Sequence, residues 1–141
     1  VVVTAPRALG RHLLCEYHGC DRARIDDVEV VRTALRDAVA AAGVTPLHEH
    51  LHAFSPHGVT GVVVIAESHF SIHTWPEHRY VAVDLFTCGE RADPWPAFAQ
   101  LGLAFAAASH AVVELRRGVL DDRGQLVGPG ALVWRDHASP A

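Results

Sequence analysis

The stretch G-V-V-V-I-A-E-S-H-F-S-I-H-T-W-P-E-H-R-Y-V-A-V-D-L-F-T-C-G, residues 61–89, decides the fold. Val and Ile crowd its first part. Apolar and polar residues then alternate at the period of two that sends successive side chains to opposite faces of a strand. Strands are predicted at 61–67, 69–75 and 79–87. Pro76-Glu77-His78 separates the last two, but no Gly, Pro or Asn separates the first two. The break falls on Glu67-Ser68-His69, where a simple hairpin would want turn residues.

Working outward, R-H-L-L-C-E-Y-H at 11–18 reads as a first strand. Asp21 caps a helix running to Gly43, because Ile25, Val28, Val31, Leu35, Ala38 and Ala42 recur at helical spacing. Residues 47–54 alternate, with Leu47, Glu49 and Leu51 on one face and His48, His50, His52 and Phe54 on the other. S-P-H-G at 55–58 is a turn. Asp93-Pro94 starts a second helix, an N-cap followed by proline in the first turn, with Trp95, Phe98, Leu101 and Phe105 as its buried stripe. A-V-V-E-L at 111–115 is a final strand, and from Gly118 onward D-D-R-G-Q-L-V-G-P-G reads as loop and tail. These elements predict an α+β, two-layer sandwich: a mostly antiparallel sheet with two main helices on one face. The other sheet face needs cover, which dimerisation supplies.

Composition narrows the function. The 141 residues are one domain's worth, half of them apolar and a fifth charged. A formal net charge of −4 argues against a nucleic-acid partner. No apolar run reaches the roughly 20 residues of a membrane helix, and V-V-V-T-A-P-R at the start is too short for a signal peptide. Cys15, Cys20 and Cys88 form no zinc-like C-x-x-C pair, so reduced thiols in a cytoplasmic protein are expected.

Residues that do chemistry gather around the break: Ser68, His73 and, one strand later, Cys88. Alternation places His69, Ser71, His73 and Trp75 on one face. Three readings compete. In the structural one, Ser68 is a turn serine, His73 a half-buried histidine and Cys88 a packed thiol. In a second, Cys88 is a nucleophile with His73 as its base, although such a thiol usually sits over a helix N-terminus and here Gly89-Glu90 follows. In the third, the Glu67–Ser68 bond itself reacts. The serine hydroxyl attacks the preceding carbonyl, a base removes the serine Cα proton, and β-elimination breaks the chain. What remains is a pyruvoyl group, a ketone that forms Schiff bases and serves as an electron sink. A strained, exposed peptide bond suits that acyl shift.

The 61–89 stretch, with G-R-H-L-L-C-E-Y-H-G-C-D at 10–21 and D-P-W-P-A-F at 93–98, resembles the bacterial and archaeal S-adenosylmethionine decarboxylases. The likeness spans residues 9–118; the tail at 119–141 lies outside it, so residues 1–118 are expected to form the decarboxylase domain. The resemblance implies self-cleavage between Glu67 and Ser68 into a β chain, 1–67, and an α chain that begins with the pyruvoyl cofactor. It implies His73 as the processing base, Thr60 as an assisting hydroxyl, and Cys88 as the acid that protonates the substrate carbon. Phe54 is implied as the aromatic that stacks on adenine and Glu77 as the carboxylate on the ribose hydroxyls. Trp75 offers a further face to adenine and the sulfonium. The implied product is the aminopropyl donor for spermidine synthesis. The implied partners are the S-adenosylmethionine substrate and a second protomer, with active sites at the dimer interface and no added metal or putrescine.

Two departures stand out. Thr60 replaces the family's usual serine, keeping the hydroxyl while stiffening χ1. H-E-H-L-H at 48–52 adds His48 and His50 to a histidine, His52, that is common in the family. Histidines at i, i+2 and i+4 share a strand face and can supply imidazoles to zinc. With 11 histidines in the chain a polar pocket wall is the simpler reading, and no metal is expected. This strand and His57 keep a pyruvoyl-dependent arginine or ornithine decarboxylase open as an alternative. From other classes, a histidine-rich metal-binding module and an unprocessed interaction protein stay open too.

Overall fold

The computed structural model of the chain describes residues 6–66, 68–88, 92–128, 132–135 and 139–140. In chain order these form β1 (Ala8–His18), α1 (Arg22–Asp26), α2 (Val28–Ala41), β2 (Pro46–Ala53), β3 (Val59–Ile65), β4 (Ser68–Trp75), a 3₁₀ turn (Pro76–His78), β5 (Tyr80–Cys88), α3 (Pro94–Ala104), β6 (Ser109–Val119), β7 (Leu132–Arg135) and β8 (Ser139–Pro140). The strands make one sheet in the order β2-β3-β4-β5-β1-β6-β7, with β8 also on β6. Every pairing between them is antiparallel.

Strand alternation sorts the two faces of the sheet. Phe70 and Ile72 of β4, Val81, Val83 and Leu85 of β5, and Leu13 and Tyr17 of β1 are buried with Val31 and Leu35 of α2 and Phe98 and Leu101 of α3. The Tyr17 hydroxyl donates to the Phe98 carbonyl at 2.8 Å, which gives the phenol a partner inside the core. The intervening residues, including Thr60, His69, His73, Asp84 and Cys88, face away from the helices and are half-buried or exposed.

The structure departs from the expected elements in four places. The first helix is two. Asp27 leaves the helical region (φ −91°, ψ 112°) and its carboxylate accepts from the amides of Glu29 and Val30, so it caps α2 while Asp21 caps α1. Trp95 is 41% exposed rather than part of the buried stripe. It lies in the first turn of α3, at the rim, edge-on to Phe98. The last core strand runs 109–119, longer than 111–115, because it pairs with β1 along almost its whole length. In the segment read as tail, Leu132–Arg135 and Ser139–Pro140 pair with β6. The β-branched and aromatic run L-V-W after the Gly-rich G-P-G is the local reason.

Strand β2, at the sheet's edge, is tied to the helical layer through charge. Glu49 accepts from Arg32 Nη1 and from Arg36 Nε, both at 2.8 Å. Arg36 and then Arg32 hold its carboxyl down to about 2. A depressed carboxyl stabilises the fold fully above its unfolded value near 4.5, and the contribution disappears as pH falls toward 2. Thermal midpoints measured across that window should fall for the wild type and fall less for Glu49→Gln. Equal acid sensitivity would remove Glu49 from the account.

Candidate active site

The hairpin layout builds one pocket from pieces far apart in sequence. Phe54 follows β2, Thr60 lies near the start of β3, His73 and Trp75 lie at the end of β4, and Glu77 sits in the 3₁₀ turn beyond. Thr60 pairs with His73 across the strands and with His52 on its other side. Together with Pro56, His57, Gly58 and Thr74 these residues line a cavity of about 410 Å³. Thr60 Oγ1 is 3.0 Å from His73 Nδ1. When Nδ1 carries the hydrogen and donates to that hydroxyl, Nε2 keeps a free lone pair and is a base. Phe54 and Trp75 are 52% and 39% exposed. Large aromatics left this open beside a cavity suit a flat ligand.

A buried frame holds the pocket's wall. Thr74 points to the helix side, where its hydroxyl donates to the Ile25 carbonyl of α1 and accepts from the Val59 amide of β3, both at 2.8 Å. Asp26, the last residue of α1, accepts from the Gly58 amide at 2.8 Å. Gly58 has φ +100°, and a Cβ there would come within 3.1 Å of the Thr74 carbonyl, so only glycine fits this turn. Asp26 and Thr74 escaped the sequence reading. Asp26 looks like a helix interior residue, and Thr74 like one more strand position.

Ser68 and Cys88 lie elsewhere. Ser68 opens β4 and is half-buried, while Cys88 closes β5 and is exposed. The register His69↔Phe86 puts both at the same end of the sheet. Cys88 and Ala66 line a second cavity of about 200 Å³. Glu67 lies outside the described residues. Ser68 and His73 are therefore at opposite ends of β4, about 16 Å apart at strand rise. Within one chain His73 reaches neither Ser68 nor Cys88. A Cys88–His73 nucleophile pair is ruled out inside a protomer. Burial pushes Cys15 up to about 12 and Cys20 up to about 11, which leaves Cys88 as the thiol placed for chemistry.

Between the two ends, the open face carries a cluster that no motif announced. Ser71 donates to Asp84 at 3.2 Å, and His12 Nε2 is 3.9 Å from the same carboxylate. The Arg117 guanidinium lies over the Phe86 ring. Burial lowers the His12 pKa from its ordinary value, with Asp84 pulling the other way. The histidines of β2 are exposed along the sheet edge. Among the described residues no group of three or more His, Cys, Asp or Glu is gathered to hold a metal ion, and no helix is long and apolar enough to cross a membrane.

Both the sequence and the fold have relatives among known proteins. The sequence model of the S-adenosylmethionine decarboxylase family matches residues 11–118. An S-adenosylmethionine decarboxylase proenzyme of Thermotoga maritima is 48% identical over 118 residues, 84% of this chain and 91% of the relative. One of Moorella thermoacetica is 49% identical over 115 residues, 82% of this chain and 92% of the relative. The crystal structure of the adenosylmethionine decarboxylase from Aquifex aeolicus superposes with a TM-score of 0.75 at 38% identity, covering 82% of this chain and 96% of that one.

Replacing Thr74 by valine keeps the shape but strands the Val59 amide and the Ile25 carbonyl. The expected loss is about 1–3 kcal/mol in denaturant unfolding, with an unchanged m-value. An unaltered midpoint would mean that the hydroxyl does not hold the wall.

Proposed function

The chain belongs to the S-adenosylmethionine decarboxylase family, and from that premise we propose that it is a self-processing, pyruvoyl-dependent decarboxylase of S-adenosylmethionine. One observation carries the reading: the Thr60–His73 pair shares a cavity with Phe54, Trp75 and Glu77, at the far end of the strand that Ser68 begins. Its product is the aminopropyl donor for spermidine synthesis. The protein works in the cytoplasm, where its three thiols stay reduced.

Processing uses the chain's own groups. Ser68 Oγ attacks the Glu67 carbonyl and the C–N bond breaks, leaving an ester and a free amine. His73 takes the Cα proton, the Cβ–O bond breaks, and a carboxylate ends the first chain. Water then replaces the nitrogen of the dehydroalanine, ammonia leaves, and a pyruvoyl group begins the second chain. The residues fit such a group: Ser68 supplies it beside the cavity that Cys88 lines. Once formed, that ketone provides the electron sink for loss of CO2 from an amino acid.

The remaining work falls to side chains. Phe54 and Trp75 hold the adenine between flat faces, and Glu77 accepts from the ribose hydroxyls. Cys88 holds the proton for the carbon that loses CO2, which requires a thiol rather than a thiolate. A substrate without a nucleoside, such as arginine or ornithine, gives the two aromatics nothing to stack on.

The separation along β4 bears on assembly. His73 must touch the Ser68 Cα, yet the two ends of the strand are about 16 Å apart. The site is therefore composite: Ser68 and Cys88 of one protomer meet Thr60 and His73 of the partner subunit. A two-fold pairing makes two such sites. Among the described residues no helix covers the sheet face that carries His73 and Cys88, and this is the surface that pairs.

Complementation tests this assembly. Ser68→Ala alone and His73→Ala alone should each remain full length on a denaturing gel. Co-expressed, they form heterodimers with one intact site, in which the His73→Ala chain is cut and the Ser68→Ala chain is not. No cleavage in the mixture overturns the composite site. Cleavage in Ser68→Ala alone overturns the pyruvoyl chemistry.

Phe54→Ala should weaken S-adenosylmethionine use by about 1–3 kcal/mol, the usual cost of a lost base–aromatic stack. Processing should be unaffected. Retained kcat/KM would move adenine to another surface.

A further inference from the structure

His57 belongs to no motif and has no part in the chemistry above, yet it lines the large cavity and contacts Glu77 there. It stands at the tip of the 54–58 turn, next to the glycine whose amide Asp26 holds. The turn closes on itself through the Phe54 amide, which donates to the Gly58 carbonyl at 2.8 Å. From this anchored position His57 Nε2 reaches Glu77 Oε2 at 3.0 Å. The two residues come from different connections, one joining β2 to β3 and the other following β4. Their contact spans the cavity that both line.

We propose that His57 is a positioning residue for Glu77, fixing one carboxylate oxygen so that the other is presented to a vicinal diol of the ligand. This rests on the nucleoside reading of the cavity. A glutamate on a 3₁₀ turn, 37% exposed, has several rotamers available, and binding a diol requires it to give them up. The imidazole takes one oxygen and limits that freedom before the ligand arrives. A carboxylate bound at one oxygen still has lone pairs on the other for hydroxyl donors. Because the anchor is backbone, through Gly58 to Asp26, the arm that carries His57 is itself fixed. The pairing thus sets affinity for the ribose part of the ligand without touching the reacting atoms.

The test measures binding of methylthioadenosine, and of its 2′,3′-dideoxy analogue, to the full-length protein by calorimetry. His57→Ala should weaken methylthioadenosine binding about three- to tenfold, the scale of one close polar contact, and leave the dideoxy analogue unchanged. His57→Gln, which keeps an N–H donor at similar reach, should restore binding to within about twofold of wild type. In the background of Glu77→Gln, His57→Ala should cause no further loss, because the two act as a unit. In turnover the effect should fall on KM, with kcat and self-cleavage unchanged. Equal weakening of both nucleosides, independent losses in the double variant, or unaltered binding by His57→Ala overturns the proposal while leaving the decarboxylase reading in place. Wild-type protein that binds neither nucleoside overturns both.

Discussion

The hydroxyl of Thr74 is the point from which the cavity wall is hung. By accepting from Val59 and donating to Ile25 it joins β4, β3 and α1. Each group it satisfies is buried, so each would otherwise carry the full cost of leaving water. The join lies between His73 and Trp75, two residues that face the opposite side of the same strand. Alternation makes this economical. A strand whose odd positions face the open side can use an even position to fasten itself to the helical layer. The Asp26–Gly58 contact extends the same fastening to the neighbouring turn, so α1, only five residues long, fixes the geometry of a pocket it does not line.

The two faces of the sheet differ in what they carry: one buries the core, and the other carries Thr60 and His73, which line the large cavity. The buried face is mostly apolar under α2 and α3; the Tyr17 phenol and the Thr74 hydroxyl have partners inside it, and Glu114 toward its β6 side is held by Arg11. The open face mixes valines with histidines, Asp84 and Arg117. That mixture is too polar for a dry core. The placement of Ser68 and His73 follows from the same strand. Five residues of extended chain give a fixed separation that no side-chain rotation can close.

Much of this was legible beforehand, for reasons that can be named. The alternations in F-S-I-H-T-W and Y-V-A-V-D-L-F are long enough to set both faces and both strands. The break at Asp27 was hidden because a single extended residue leaves Ile25, Val28 and Val31 near helical spacing, and the capping aspartate is visible only once its carboxylate is seen turned inward. Trp95 misled because helical spacing says which face a residue takes but not where the sheet beneath it ends. Strands β7 and β8 are too short for any period to declare itself. At the site, Ser68, His73 and Cys88 stood out by residue type and the roles of Thr60, Phe54 and Glu77 came from the resemblance, but the division of these residues between two ends of β4 is a matter of counting, 73 minus 68, and needed the strand's continuity to be certain. The His57–Glu77 contact had no signal at all, since it joins the ends of two different hairpins.

The order of the sheet has a topological consequence. Strands β1, β2 and β3 precede Ser68, and β4 through β8 follow it, yet in space the two sets interleave: β4 and β5 are flanked by β3 on one side and β1 on the other, and β1 in turn lies against β6. A chain cut between β3 and β4 is therefore like two combs with their teeth meshed. To part, the pieces would have to open three ladders at once, β3–β4, β5–β1 and β1–β6, and split the helical layer that covers them. The continuity of the polypeptide at that one bond contributes almost nothing to holding the folded sheet together. A cut at that one bond leaves the shape of the fold in place.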